Sequence, residues 1–128
     1  MLIYAIIAVC LAVILAELFK TIMHYYRHQE LVIFHDGGMP STHTSAVAAL
    51  CLAVYYEQGF TLLLFVCIAF SIVVAHDAYN VRWEVTKHSD ALNKLTKSKK
   101  YFISGHTKQE VFAGLVLGLL ITYIVYLF

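Results

Sequence analysis

Three long apolar runs constrain the fold more than any other feature of the chain: Met1–Phe19, Phe60–Ala75 and Val111–Phe128. Each approaches or reaches the roughly 17–25 residues a helix needs to cross a bilayer, where helices and closed barrels alone satisfy their own backbone. A fourth run, Ser45–Tyr56, is short by itself and reaches about 17 residues if its helix begins at Ser41. Of the 128 residues, 61% are hydrophobic and 13% charged, against about 25% charged in soluble domains. A soluble domain is thereby excluded, and one membrane-embedded domain over 1–128 is expected. The expected fold class is all-α: a polytopic membrane protein with about four transmembrane helices in a compact bundle, its polar helix ends clustered on one membrane side. The spans fall at about 1–20, 41–57, 60–82 and 106–128, with a soluble loop at about 84–104. The first run has no basic n-region and no small-residue cleavage pattern before Lys20, so it reads as a retained span and not a cleaved signal peptide.

Charge distribution says more than the net charge of +1. With four spans, all nine Lys and Arg (Lys20, Arg27, Arg82, Lys87, Lys94, Lys97, Lys99, Lys100, Lys108) fall on the side that receives segments 20–44 and 77–110. By the positive-inside rule that side is cytoplasmic. Cys10, Cys51 and Cys67 lie inside apolar runs without metal-type spacing and read as small buried hydrophobes.

The first helix should run through Lys20 and on to Arg27, since no Gly or Pro interrupts it before Gly37. Lys20, His24, Arg27 and His28 then share one face, which taken alone reads as a snorkelling interfacial belt. Gly37-Gly38-Met39-Pro40 breaks the chain, and Ser41 or Thr42 serves as N-cap for the next helix. His43 falls in its first turn, beside unpaired N–H groups and the positive end of the helix dipole, a place suited to an anion. Asp77 sits near a membrane boundary, where an ionisable residue is a functional candidate. Ser89–Leu95 resembles a short amphipathic helix within the 84–104 loop, and Lys97-Ser98-Lys99-Lys100 is a basic run of the kind that meets anionic headgroups. At the last span His106 and Glu110 are four apart and can hydrogen bond on one helix face. Gly114-x-x-x-Gly118 is a close-packing signature in membranes.

Four spans bring Lys20, Arg27, His43, Asp77, Arg82, Lys100, His106 and Glu110 to one side. Two histidines, one beside a carboxylate, with cations and a helix N-terminus, suit phosphoryl transfer: cations and N–H groups stabilise phosphoryl oxygens while imidazoles attack phosphorus and protonate the leaving oxygen. No Walker loop is present.

Gly37–Ser45, Asp77-Ala78-x-x-Val81-Arg82, Asn93-Lys94-Leu95 and Gly105-His106-x3-Glu110-Val111-x2-Gly114, in that order, resemble the divergent branch of the type-2 phosphatidic acid phosphatase and vanadium haloperoxidase superfamily. The main superfamily carries Lys-x6-Arg-Pro, Pro-Ser-Gly-His and Ser-Arg-x5-His-x3-Asp. Lys20 and Arg27 fit the first with His28 for proline, Pro40-Ser41-Thr42-His43 fits the second with Thr for Gly, and in the third Glu110 replaces Asp and Lys99-Lys100 stands for Ser-Arg. The resemblance implies a membrane lipid-phosphate phosphatase working through a phosphohistidine, without metal or cofactor. It implies His106 as nucleophile, Glu110 orienting it, His43 as general acid, and Lys20, Arg27, Ser41 and Thr42 at the phosphate. Lys100 stands where an arginine would make a bidentate contact that lysine does not reproduce; Arg82 would supply that guanidinium, with Asp77 positioning it. The implied partner is a membrane lipid with a phosphate headgroup, and no nucleic acid. Members of the superfamily commonly have six helices, so a second copy completing the walls, a homo-oligomer, is a further expectation.

Two other readings stand beside this one. The departures at Lys100, Glu110 and His28 would also suit a protein that binds or transports a phospholipid without turnover. Seven histidines, with His24 and His28 four apart, would suit a metal transporter.

Overall fold

The computed structural model describes residues 2–28, 38–97 and 105–128. Its elements in order are α1 (Leu2–His28), α2 (Thr42–Gln58), α3 (Leu62–His76), a π-helical turn (Asp77–Val81), α4 (Arg82–Thr96) and α5 (Lys108–Leu127). Among the described residues three helices are long and apolar enough to cross a membrane: Leu2–Tyr26, the continuous Leu62–Thr96 and Lys108–Leu127. The fourth expected span, α2, has 17 residues and extends about 26 Å, just short of a ~30 Å hydrocarbon core. It occupies the middle of the bundle, packed against α1, α3 and α5.

Small residues build that middle. Ala8, Ala12 and Ala16, one turn apart on α1, are fully buried, as are Ala49 and Ala53 of α2. Ala12, Ala49 and Ile121 form the central cluster, with Val9, Leu15, Leu117 and Val125 around it. On α5 the positions of Gly114 and Gly118 lie against backbone: a Cβ on Gly114 would collide with the Ser41 carbonyl, and one on Gly118 with the Ser45 carbonyl. Thr122 adds a hydroxyl bond to the Ala49 carbonyl, at 3.3 Å. In lipid, helices gain nothing from hiding apolar surface, so such close van der Waals packing is what joins them. Large apolar side chains point outward instead, among them Phe65, Ile72, Phe112 and Leu120, on a scale no soluble monomer tolerates. Away from the histidines, Tyr126 donates to Glu57 at 2.7 Å and stacks on Tyr56 with centroids 4.9 Å apart. Tyr4 of α1 joins them at 6.0 Å. These rings suit a membrane–water boundary.

One expectation is corrected. The 84–104 loop is helical through Thr96, so Ser89–Leu95 belongs to a longer helix continuous with the third span. No Gly or Pro stands between Gly59 and Gly105 to stop it, and the helix closes at Lys97 with φ +50°. The close-packing signature Gly114-x-x-x-Gly118 is used within the chain, where the glycine pair of α5 packs on α2.

Candidate functional site

Local chemistry sets up α5 first. Thr107 caps the helix, accepting from the Glu110 N–H, while Glu110 Oε2 accepts from the Thr107 N–H at 3.0 Å. This reciprocal capping box orients the carboxylate, whose Oε2 also lies 3.2 Å from His106 Nδ1. An ionised carboxylate only accepts, so Nδ1 carries the hydrogen in that contact and the lone pair of a neutral ring sits on Nε2. The His106 side chain is 6% exposed.

The π-helical turn supplies the second wall. Arg82 stands five positions after Asp77, a spacing that an α-helix turns apart and a π turn stacks. The Arg82 N–H bonds the Asp77 carbonyl, and Arg82 Nε donates to Asp77 Oδ2 at 2.8 Å. Gly105–Lys108 is fastened to this wall. The His106 N–H donates to the Ala78 carbonyl at 3.0 Å, and the Gly105 N–H to Thr86 Oγ1 at 2.8 Å. Thr86 in turn donates to the Arg82 carbonyl at 3.0 Å. Lys108 Nζ lies 5.8 Å from the centre of the Tyr79 ring, within cation–π range. Gly105 permits the approach, since a Cβ there would meet the Arg82 carbonyl and the Trp83 backbone at 2.6 Å.

The third wall is the start of α2. The Ser41 N–H donates to the Glu110 carbonyl at 3.1 Å, which ties the two helix beginnings together. His43, Asp77, Arg82 and His106 then line one cavity of about 260 Å³, with Val73, Val74 and Ala78 as its apolar side.

The other expected residues are placed differently. Ser41 is the N-cap position but makes no side-chain cap bond; it is fully buried and its hydroxyl accepts from Thr44 at 3.0 Å. Thr42 donates to Glu17 Oε1 at 2.6 Å, and the same oxygen holds Lys20 Nζ at 2.7 Å. Gly38, at φ +85°, lies over the Lys20 stem, its ideal Cβ 3.9 Å from Lys20 Cγ and Cδ. Lys20, Ser41 and Thr42 are outside the lining of the two-histidine cavity. The side chain of Arg27, and all of Lys100, lie outside the described residues.

Glu17 is the residue sequence reasoning passed over. A signal existed, because it is the one acidic residue in the first apolar run and stands three before Lys20, a helix-pair spacing. Its second oxygen, Oε2, is buried without a hydrogen-bond partner. Thr86 and the Ala78 carbonyl, which hold Gly105 and His106, carried no signal, since the pairings join segments far apart in the chain. Among the described residues no group of three or more His, Cys, Asp or Glu side chains is arranged to hold a metal ion.

A Bacillus subtilis (strain 168) protein, "Uncharacterized membrane protein YuiD", is 28% identical over 138 aligned residues, covering 88% of this chain and 87% of that protein. No solved structure matches the chain. The family model described as "Divergent PAP2 family" matches residues 1–121. With membrane-length helices, a related membrane protein and that match over nearly its whole length, this is an integral membrane protein that belongs to the Divergent PAP2 family.

Proposed function

We propose that the protein is a membrane-embedded phosphatase that hydrolyses a lipid phosphate monoester or pyrophosphate through a phosphohistidine. The observation that carries this reading is that His106, whose Nδ1 lies 3.2 Å from Glu110, lines one cavity with His43 and the Asp77–Arg82 ion pair. His106 Nε2 attacks phosphorus; an N–P bond forms, the P–O bond to the lipid breaks, and protonated His43 gives its proton to the departing oxygen. Water then attacks the phosphohistidine, with His43 taking its proton, and phosphate leaves. Glu110 stabilises the positive ring as it forms. The Nε of Arg82 is engaged by Asp77, so its terminal amino groups receive the phosphoryl oxygens. In this reading α2 is a short fourth crossing, and the one-sided lysines and arginines support a cytoplasmic face for the cavity.

The test is phosphate release by the purified protein from phosphatidic acid, phosphatidylglycerol phosphate and prenyl phosphates. Loss of release in His106→Ala and His43→Ala is the expected result; variants as active as the parent would show that the assigned roles are wrong.

One observation favours a second reading, phospholipid binding without turnover. Lys20, the lysine of the phosphate motif, is 7% exposed and engaged by Glu17. Vanadate or lipid-phosphate binding without phosphate release would select it.

A further inference from the structure

His43 reaches the two-histidine cavity from the first turn of α2, the part of a helix least able to hold itself. The N–H groups of such a turn have no carbonyl partner within the helix. A side-chain cap would steady it, but the N-cap Ser41 makes no such bond; its hydroxyl oxygen accepts from Thr44 instead. The placement of His43 therefore depends on neighbouring elements.

Two ties reach this turn. From α5, the Glu110 carbonyl accepts the Ser41 N–H. From α1, Glu17 Oε1 accepts the Thr42 hydroxyl at 2.6 Å. Glu17 is itself held, because the same oxygen receives Lys20 Nζ at 2.7 Å, and the Lys20 and Glu17 side chains are only 7% and 19% exposed. A hydrogen bond to a carboxylate in so dry a place is stronger than one to a neutral acceptor. The carboxylate is also close enough to His43 for the two to interact electrostatically. Thus α1 grips the residue immediately before His43, and α5 the one before that.

We infer that Glu17 is a positioning residue for His43: through Thr42 it holds the first turn of α2 so that the imidazole meets the leaving oxygen of the phosphate ester. The inference rests on the proposed phosphatase reading for the proton transfer, and adds to it a residue of α1 that does not itself line the cavity. It also accounts for an acid inside the first apolar run, where an ionisable group is costly. Lys20 offsets the charge, and the shared oxygen remains available to Thr42.

Leaving-group dependence tests this. A proton from His43 is needed when the departing group is an alkoxide and hardly at all when it is p-nitrophenolate. A residue that places His43 must matter for the first and little for the second, whereas one that only stabilises the fold lowers both alike. The measurement is kcat/KM of the purified full-length protein for n-octyl phosphate and p-nitrophenyl phosphate, since kcat/KM covers only the steps up to phosphohistidine formation. Glu17→Ala and Thr42→Val should each lower the alkyl value on the order of 100-fold and the nitrophenyl value far less. Thr42→Val keeps the Glu17–Lys20 pair, which separates the tether from the loss of that pair in Glu17→Ala. Glu17→Gln keeps an acceptor oxygen for Thr42 and should restore the parent's ratio of the two activities. Adding Glu17→Ala to His43→Ala should lower alkyl-ester turnover little beyond His43→Ala alone. An unchanged ratio in Glu17→Ala and Thr42→Val, or full additivity of the Glu17 and His43 changes, overturns the inference. If the parent releases no phosphate from either ester, the phosphatase reading fails by itself. Hydrogen exchange of the Ser45 amide, which bonds the Ser41 carbonyl at 3.0 Å, then decides the tether: faster exchange in Thr42→Val supports it, and unchanged exchange overturns it.

Discussion

Replacing Gly114 by Ala tests the contact on which the site's geometry depends. The added Cβ would collide with the Ser41 carbonyl oxygen and meet Ser41 C and N at 3.2 Å, where carbon atoms rest at about 3.5–4.0 Å. Both partners are backbone, so no side chain can rotate away, and α2 must back off α5 by on the order of 1 Å. The Ser41 N–H to Glu110 carbonyl bond, 3.1 Å in the parent, does not survive such a shift. Overpacking costs about 1–3 kcal/mol and the lost bond about 1 kcal/mol, while alanine's better helix propensity returns about 1 kcal/mol. The expected net destabilisation is about 2 kcal/mol, read from reversible unfolding in mixed micelles. Gly118→Ala, which collides with the Ser45 carbonyl one turn further from the cavity, should cost a similar amount. The two should part company in activity. Gly114→Ala moves His43 relative to His106 and should lower phosphate release on the order of 100-fold; Gly118→Ala should retain more of it. A Gly114→Ala protein as stable as the parent would refute the backbone contact, and equal activity losses in the two variants would refute its link to the site.

Other perturbations follow from the same geometry. Glu17→Ala removes the carboxylate that holds the buried Lys20 ammonium and should destabilise by about 3 kcal/mol, part of it recovered when Lys20→Met is added; a double variant no better than the single one contradicts the pairing. Thr86→Val keeps the side chain's shape but leaves the Gly105 N–H without an acceptor, for a cost of about 1–3 kcal/mol and faster amide exchange at Gly105 and His106. Tyr126→Phe removes the bond to Glu57 and should cost about 1 kcal/mol with phosphate release unchanged, since it lies at the opposite end of α5. A chelator should leave phosphate release by the purified protein unaltered, because every step assigned above uses side chains of this chain.

Features carried by neighbours in sequence were legible without a structure. Apolar run length marks a membrane protein because backbone in lipid must bond to itself. His106 and Glu110 meet because four residues make about one helical turn, and the structure has them 3.2 Å apart. Glu17 and Lys20 were equally readable by spacing, though the eye is drawn to motif residues first. The Asp77–Arg82 pairing was expected from the family resemblance and not from helical spacing. It depends on a π turn, and that turn goes with the fastening of Gly105 and His106 to Ala78 and Thr86.

By itself, then, the sequence determined that the chain is helical and membrane-embedded and that α5 has an approachable backbone face at Gly114 and Gly118. Only the tertiary structure decided what approaches that face. A glycine pair permits close contact with any helix, its own chain's or another copy's, and nothing in the pattern distinguishes them. Here α2 takes the place, its Ser41 and Ser45 carbonyls against the glycines. That one packing choice brings His43, from a helix more than sixty residues earlier, to the cavity that His106 lines.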